Sequence, residues 1–260
     1  MSVETLEHRV TEARGEARPH PMLLLHGAWC GAWAYDPWVE PLANRGWEVH
    51  VMSLPGHGAS SMSKGTINDY LLSDYVDAVD QIVQKIGRPP VVVGHSMGGL
   101  VARTYARSHG VPGLVLLAPV PHNVLGYVVR HLTQVPRPLL RAVVSRDNRI
   151  TTLEQVDRFF LGPDSDFGTA NMLQLLGPES ARVVDQLLVA RWRDTPMDTP
   201  TAIFTGGADT IFTPSEEGVL AERLQCTLRV YARQGHMITV EPKGQQVLAD
   251  MDEWLRARVV

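Results

Sequence analysis

Residues 91–100 read VVVGHSMGGL, a serine held among glycines directly after an apolar run. The stretch Gly94-His95-Ser96-Met97-Gly98 has the G-x-S-x-G spacing, in which small neighbours admit a sharp strand-to-helix turn. Such a turn imposes strained backbone geometry on the serine and is tolerated only where its neighbours lack bulk. It points the hydroxyl into a cleft, beside the backbone N–H donors and positive end of the following helix. That is a setting for nucleophilic attack on a carbonyl.

A lone serine hydroxyl is a poor nucleophile and needs a base that a third group orients. Ten histidines are present. His8, His20, His50, His109, His122 and His131 stand in polar, strand or helical settings with no evident chemical neighbour. His57, in PGHGAS, belongs to a tight turn and reads as structural, and the His95 side chain should diverge from Ser96. His236, in RQGHMITVEP, differs because it follows the last strand-like run, at the edge where every parallel strand ends. Asp209 follows the preceding run, TAIFTGGAD, in the same way and would fix the imidazole tautomer. Ser96, Asp209 and His236 are therefore the expected catalytic set, with Asp194 and Asp198 as less well placed alternative acids.

The elements that must position these residues are legible in the hydrophobic pattern. Strand-like runs occupy 22–26, 47–54, 90–94, 113–120, 201–207 and 227–232, most of them continuously apolar, as suits strands buried on both faces of a parallel sheet. Helical periodicity marks 35–45, 68–86, 97–109, 214–224 and 243–257, with Asn68 as a candidate cap and Gly87 as a stop. Alternating β and α segments predict an α/β fold, a mostly parallel doubly wound sheet. Residues 121–199 break the alternation with short helical patterns at 153–160 and 179–192. They read as a helical lid inserted into a core formed by 1–120 and 200–260, or as extra helices on the sheet edge.

The 260-residue length supports one large core. A formal net charge of −4 gives no basic footprint and argues against nucleic acid as a partner. Cys30 and Cys226 lack CxxC or metal-type spacing and read as free thiols. No run approaches the roughly 18–20 apolar residues of a membrane span, and the polar first twenty residues lack signal-peptide character. A cytoplasmic location is expected, with no metal or organic cofactor.

At this point the chain resembles the α/β-hydrolase superfamily across essentially residues 20–260. The supporting stretches are LLLHGAWCGAW (23–33), LPGHGAS (54–60), VGHSMGG (93–99), FTGGAD (204–209) and GHM (235–237). The resemblance implies that the backbone N–H groups of Ala28 and Met97 form an oxyanion hole. Within the superfamily, HGAWCGAW and GHMITVEP look like the branch that includes plant methylesterases and cofactor-free hydroxynitrile lyases. The lyases carry a lysine where this chain has Met237, which favours hydrolysis. Epoxide hydrolases and haloalkane dehalogenases use an aspartate nucleophile where this chain has Ser96. The expected reaction is hydrolysis of a small-to-medium apolar carboxylic ester; a thioesterase, a lactonase, a carbon–carbon hydrolase or a binding protein with negligible turnover would carry the same residues. Trp29, Phe159, Phe160, Met172 and Met237 are candidate substrate-binding residues, and Arg130, Arg137, Arg141 and Arg146 could meet an anionic substrate.

Overall fold

The computed structural model describes residues 5–124, 148–189 and 192–259, so those four arginines and His131 lie outside the described residues. Seven strands form one sheet: β1 (His8–Thr11), β2 (Met22–Leu25), β3 (Val49–Met52), β4 (Val91–His95), β5 (Leu114–Leu117), β6 (Thr201–Gly206) and β7 (Thr227–Tyr231). Their order is β1-β3-β2-β4-β5-β6-β7. All neighbours are parallel except β1, which pairs antiparallel with β3 in the register Val10 to His50. The expected parallel α/β sheet is present.

Strands β2 to β6 are buried along their whole length, as their largely apolar content requires once helices cover both faces. The described helices of the core are α1 (Asp36–Ala43), α2 (Leu72–Ile86), α3 (Met97–His109), α7 (Pro214–Leu224) and α8 (Gly244–Arg258). Between β5 and β6 lie α4 (Leu153–Phe159), α5 (Thr169–Leu175) and α6 (Ala181–Val189). Helix α2 turns Leu72, Tyr75, Ala78, Val79 and Ile82 inward and stops at Gly87, whose φ of 76° is the left-handed cap expected there. Its start differs from expectation. Asn68 lies in a 3₁₀ turn (Ile67–Asp69), and the Asp74 carboxylate accepts the Leu71 N–H at 2.7 Å instead. The chain is extended at Leu71, so the orphan donors of the helix begin three residues later than the sequence signal for a cap.

After β3 the chain crosses β2 to lay down β4 on its other side. The loops leaving the carboxyl ends of β2 and β4 therefore diverge, and the crevice between them is where doubly wound sheets bind ligands. No described helix is long and apolar enough to cross a membrane.

Candidate active site

Ser96 stands at the carboxyl end of β4, between that strand and α3, with φ 52° and ψ −118°. A non-glycine residue there carries about 1–3 kcal/mol of strain, which only a well-determined surrounding can hold. The holding bonds are explicit. Ser96 N–H donates to the Leu117 carbonyl at 2.9 Å, and the Ser96 carbonyl accepts the Gly99 N–H at 2.9 Å. A Cβ on Gly98 would run into the carbonyl oxygens of His26 and Leu25, so α3 can approach β2 only with glycine there. Across the crevice, a Cβ on Gly27 would lie 2.9 Å from Ser96 Cβ and 2.8 Å from His95 Nδ1. The β2 loop and the serine turn thus pack at the closest spacing the backbone allows.

That loop is a four-residue turn closed by a Cys30 N–H bond to the Gly27 carbonyl at 3.3 Å. Trp29, its third residue, has φ 64°, a left-handed conformation usually filled by glycine or asparagine. Among the described residues, the N–H groups of Ala28 and Met97 meet no acceptor. His26, ahead of the turn, has a fixed tautomer: Nε2 accepts the Leu54 N–H at 2.9 Å and Nδ1 donates to the Gly27 carbonyl at 2.8 Å. Burial, aided by the charge of nearby His57, lowers its pKa to about 3, so it remains neutral.

His236 follows β7 and lies beside the β4 end. Its Nδ1 is 2.7 Å from Asp209 Oδ2, with both side chains buried. Asp209 Oδ1 accepts two further bonds, from the N–H groups of Ile211 (2.8 Å) and Phe212 (3.0 Å). Two backbone donors on one oxygen and the imidazole on the other fix the carboxylate plane. The His236 ring lies 5.6 Å from the Phe212 ring and 6.4 Å from Phe160, two apolar walls that limit water around it. His95 is turned toward the histidine loop. Its Nε2 donates to the His236 carbonyl at 2.9 Å, and burial, with the charge of His236 as a second cause, lowers its pKa to about 3. A neutral His95 thereby ties the serine strand to the histidine loop.

The two alternative acids are elsewhere. Asp198 is not placed against His236, and Asp194 binds His122 Nδ1 at 2.8 Å and faces Arg103 at 3.4 Å. His122, which had no evident partner in sequence, has one. Of the candidate substrate residues, Phe160 packs edge-on against Trp29 (6.0 Å) and accepts the Met237 N–H at its carbonyl (2.9 Å). Phe159 is largely buried, Met172 and Met237 are fully buried, and Met237 Sδ lies 3.9 Å from Cys30 Sγ. Two groups escaped sequence reasoning. Glu217, on α7, is fully buried, and burial, then the Asp209 charge, pushes its pKa well above the ordinary carboxylate range. Glu179 pairs with His57 across the fold at 3.0 Å, both side chains fully buried. An ordinary helix glutamate and a loop glutamate give no signal in sequence of such burial.

Comparison with known proteins agrees with this architecture. The thermophilic esterase of Thermogutta terrifontis, solved with malate bound, superposes with a TM-score of 0.78 at 21% identity, covering 98% of this chain and 94% of that one. Phospholipase YtpA of Bacillus subtilis is 31% identical over 104 residues, which span 38% of this chain and 39% of the phospholipase. The pimeloyl-[acyl-carrier protein] methyl ester esterase of Yersinia enterocolitica is 27% identical over 212 residues, covering 81% of this chain and 73% of the relative. The sequence profile of the alpha/beta hydrolase family matches residues 22–248, and the chain belongs to that family as a hydrolase of the esterase type.

Proposed function

We propose that the chain hydrolyses small-to-medium apolar carboxylic esters through an acyl-enzyme on Ser96. The observation that carries this reading is the buried 2.7 Å bond between His236 and Asp209, beside a serine held in strained geometry at the crevice. Asp209, fixed by its two backbone donors, keeps the Nδ1 proton of His236 in place and leaves Nε2 free to take the Ser96 proton. Ser96 Oγ then attacks the ester carbonyl, and His236 returns the proton to the departing alkoxide. Water repeats the sequence on the acyl-enzyme. The N–H groups of Ala28 and Met97 donate to the oxyanion, where each is worth about 2.7–4 kcal/mol.

An apolar acyl group suits the aromatic surroundings of Trp29 and Phe160, and the buried Phe159, Met172 and Met237 are assigned to the same pocket. In this reading residues 121–199 form the lid over the crevice. The methyl ester named for the Yersinia relative poses the same chemical problem, since a small alkoxide departs only with a proton from the base.

Hydrolysis of p-nitrophenyl butyrate tests the proposal. Steady turnover is expected, lost by a factor of about 10³ or more in Ser96→Ala, together with labelling of Ser96 by a fluorophosphonate. Full activity in Ser96→Ala would sink the assignment.

A further inference from the structure

Trp29 has a left-handed backbone in a turn whose own closing bond is long, so its conformation depends on contacts from outside. Among the described residues, three such contacts come from the segment between β5 and β6. The indole N–H donates to the Asn148 carbonyl, the ring packs against Phe160, and the Trp29 carbonyl accepts the Gly177 N–H at 2.8 Å. Among the described residues, the last is the one bond from that segment to the turn's own backbone.

Just beyond Gly177 the segment is fastened to the core by a buried charge. Glu179 Oε2 is 3.0 Å from His57 Nε2, while Oε1 accepts the Tyr75 hydroxyl at 2.8 Å and the Ser180 N–H at 2.7 Å. His57 Nδ1 faces the Pro55 carbonyl at 3.1 Å. Both ring nitrogens therefore meet acceptors, so the imidazole carries two protons and Glu179 is its counter-ion. Burial opposes charge on both groups, yet their mutual attraction and bonding raise the His57 pKa and lower that of Glu179. Such a pair, once formed, holds its backbone in one place, because neither partner can leave without stranding the other.

We propose that Glu179 is a positioning residue for the oxyanion turn. Its pairing with His57 seats the 177–181 stretch, Gly177 thereby grips the Trp29 carbonyl, and the turn presents the Ala28 N–H to the developing oxyanion. This inference rests on the role given above to Ala28. It makes Glu179 part of transition-state stabilisation although it touches neither substrate nor Ser96.

The test is Glu179→Gln, which keeps the shape and removes the charge. A misplaced oxyanion donor acts on the transition state alone, so kcat should fall about 10- to 100-fold with KM within about twofold. Affinity for a trifluoromethyl ketone, whose serine adduct carries an oxyanion, should weaken by the same factor. Gly177→Pro, which deletes the gripping N–H and leaves the ion pair intact, should reproduce both changes. Leu176 already has φ −74° and ψ 131°, which suits a residue preceding proline. If Glu179→Gln fails to fold, Gly177→Pro decides. Unchanged kcat in the folded variants, or a fall in kcat that leaves ketone affinity untouched, overturns the inference. Activity retained in Ser96→Ala, or a wild-type enzyme insensitive to the ketone, would instead remove the esterase reading beneath it.

Discussion

Replacing Asp209 by asparagine isolates the orientation of the base from the shape of the site. The side-chain oxygen of the asparagine stays where the Ile211 and Phe212 N–H groups hold it, at the 2.8 and 3.0 Å positions of Asp209 Oδ1. The amide nitrogen then faces His236 Nδ1. Turning it over would forfeit two backbone hydrogen bonds at about 1 kcal/mol each, a preference of roughly thirty to one. Donation to Nδ1 drives the imidazole proton onto Nε2, the nitrogen that must accept the serine proton. The imidazolium formed during attack also loses its counter-charge, worth about 4 kcal/mol for close charges at an effective dielectric near 20. Together these effects predict a kcat loss of about 10⁴-fold, the size seen for the same change in a serine protease triad. Ester turnover should be normalised to total folded protein, with a thermal melt to confirm the fold. An asparagine variant within about tenfold of wild type, melting normally, would refute Asp209 as the orienting acid.

Two further outcomes concern stability. Glu217 ionises near pH 4.3 when the chain is unfolded but is held neutral in the fold, so it costs stability that grows as pH rises above about that value. Glu217→Gln should therefore raise Tm at pH 7–8 and leave it unchanged near pH 4; a lower Tm at pH 7 would contradict a neutral Glu217. In Gly98→Ala the new Cβ meets two β2-end carbonyl oxygens, and a cost of about 1–3 kcal/mol should lower Tm by roughly 3–10 °C. A Tm within a degree of wild type would mean that the serine turn has slack the packing does not show.

What the sequence revealed follows from the range over which each signal acts. Strands β2 to β6 announce themselves because a buried parallel strand is largely apolar, whereas β7, only half-buried, is legible through its β-forming Thr, Val and Tyr. Strand β1, His-Arg-Val-Thr, does not, since an edge strand pairs through its main chain and asks little of its side chains. That Ser96, Asp209 and His236 lie at one edge of the sheet could be read because each follows its own strand and parallel strands end along the same edge. The Glu179–His57 pair could not, because nothing near either residue encodes a partner 122 positions away. Trp29 was legible as an apolar residue beside the oxyanion loop, but its left-handed backbone is imposed by tertiary contacts against local preference. Glu217 shows the same limit: its neighbours describe an ordinary first helical turn, and only the packed structure removes its water.

The sulfur contact between Cys30 and Met237 gives the molecule a built-in clock. Met237 has no exposed surface and Cys30 almost none, whereas Met62 is 41% exposed. Peroxide converts an exposed thioether to its sulfoxide directly but reaches a buried one only through local opening. The Phe160 carbonyl also holds the Met237 N–H at 2.9 Å, which ties the histidine loop to the segment between β5 and β6. Oxidation of Met62 then measures the oxidant, and the slower oxidation of Met237 measures how often the packing around it opens.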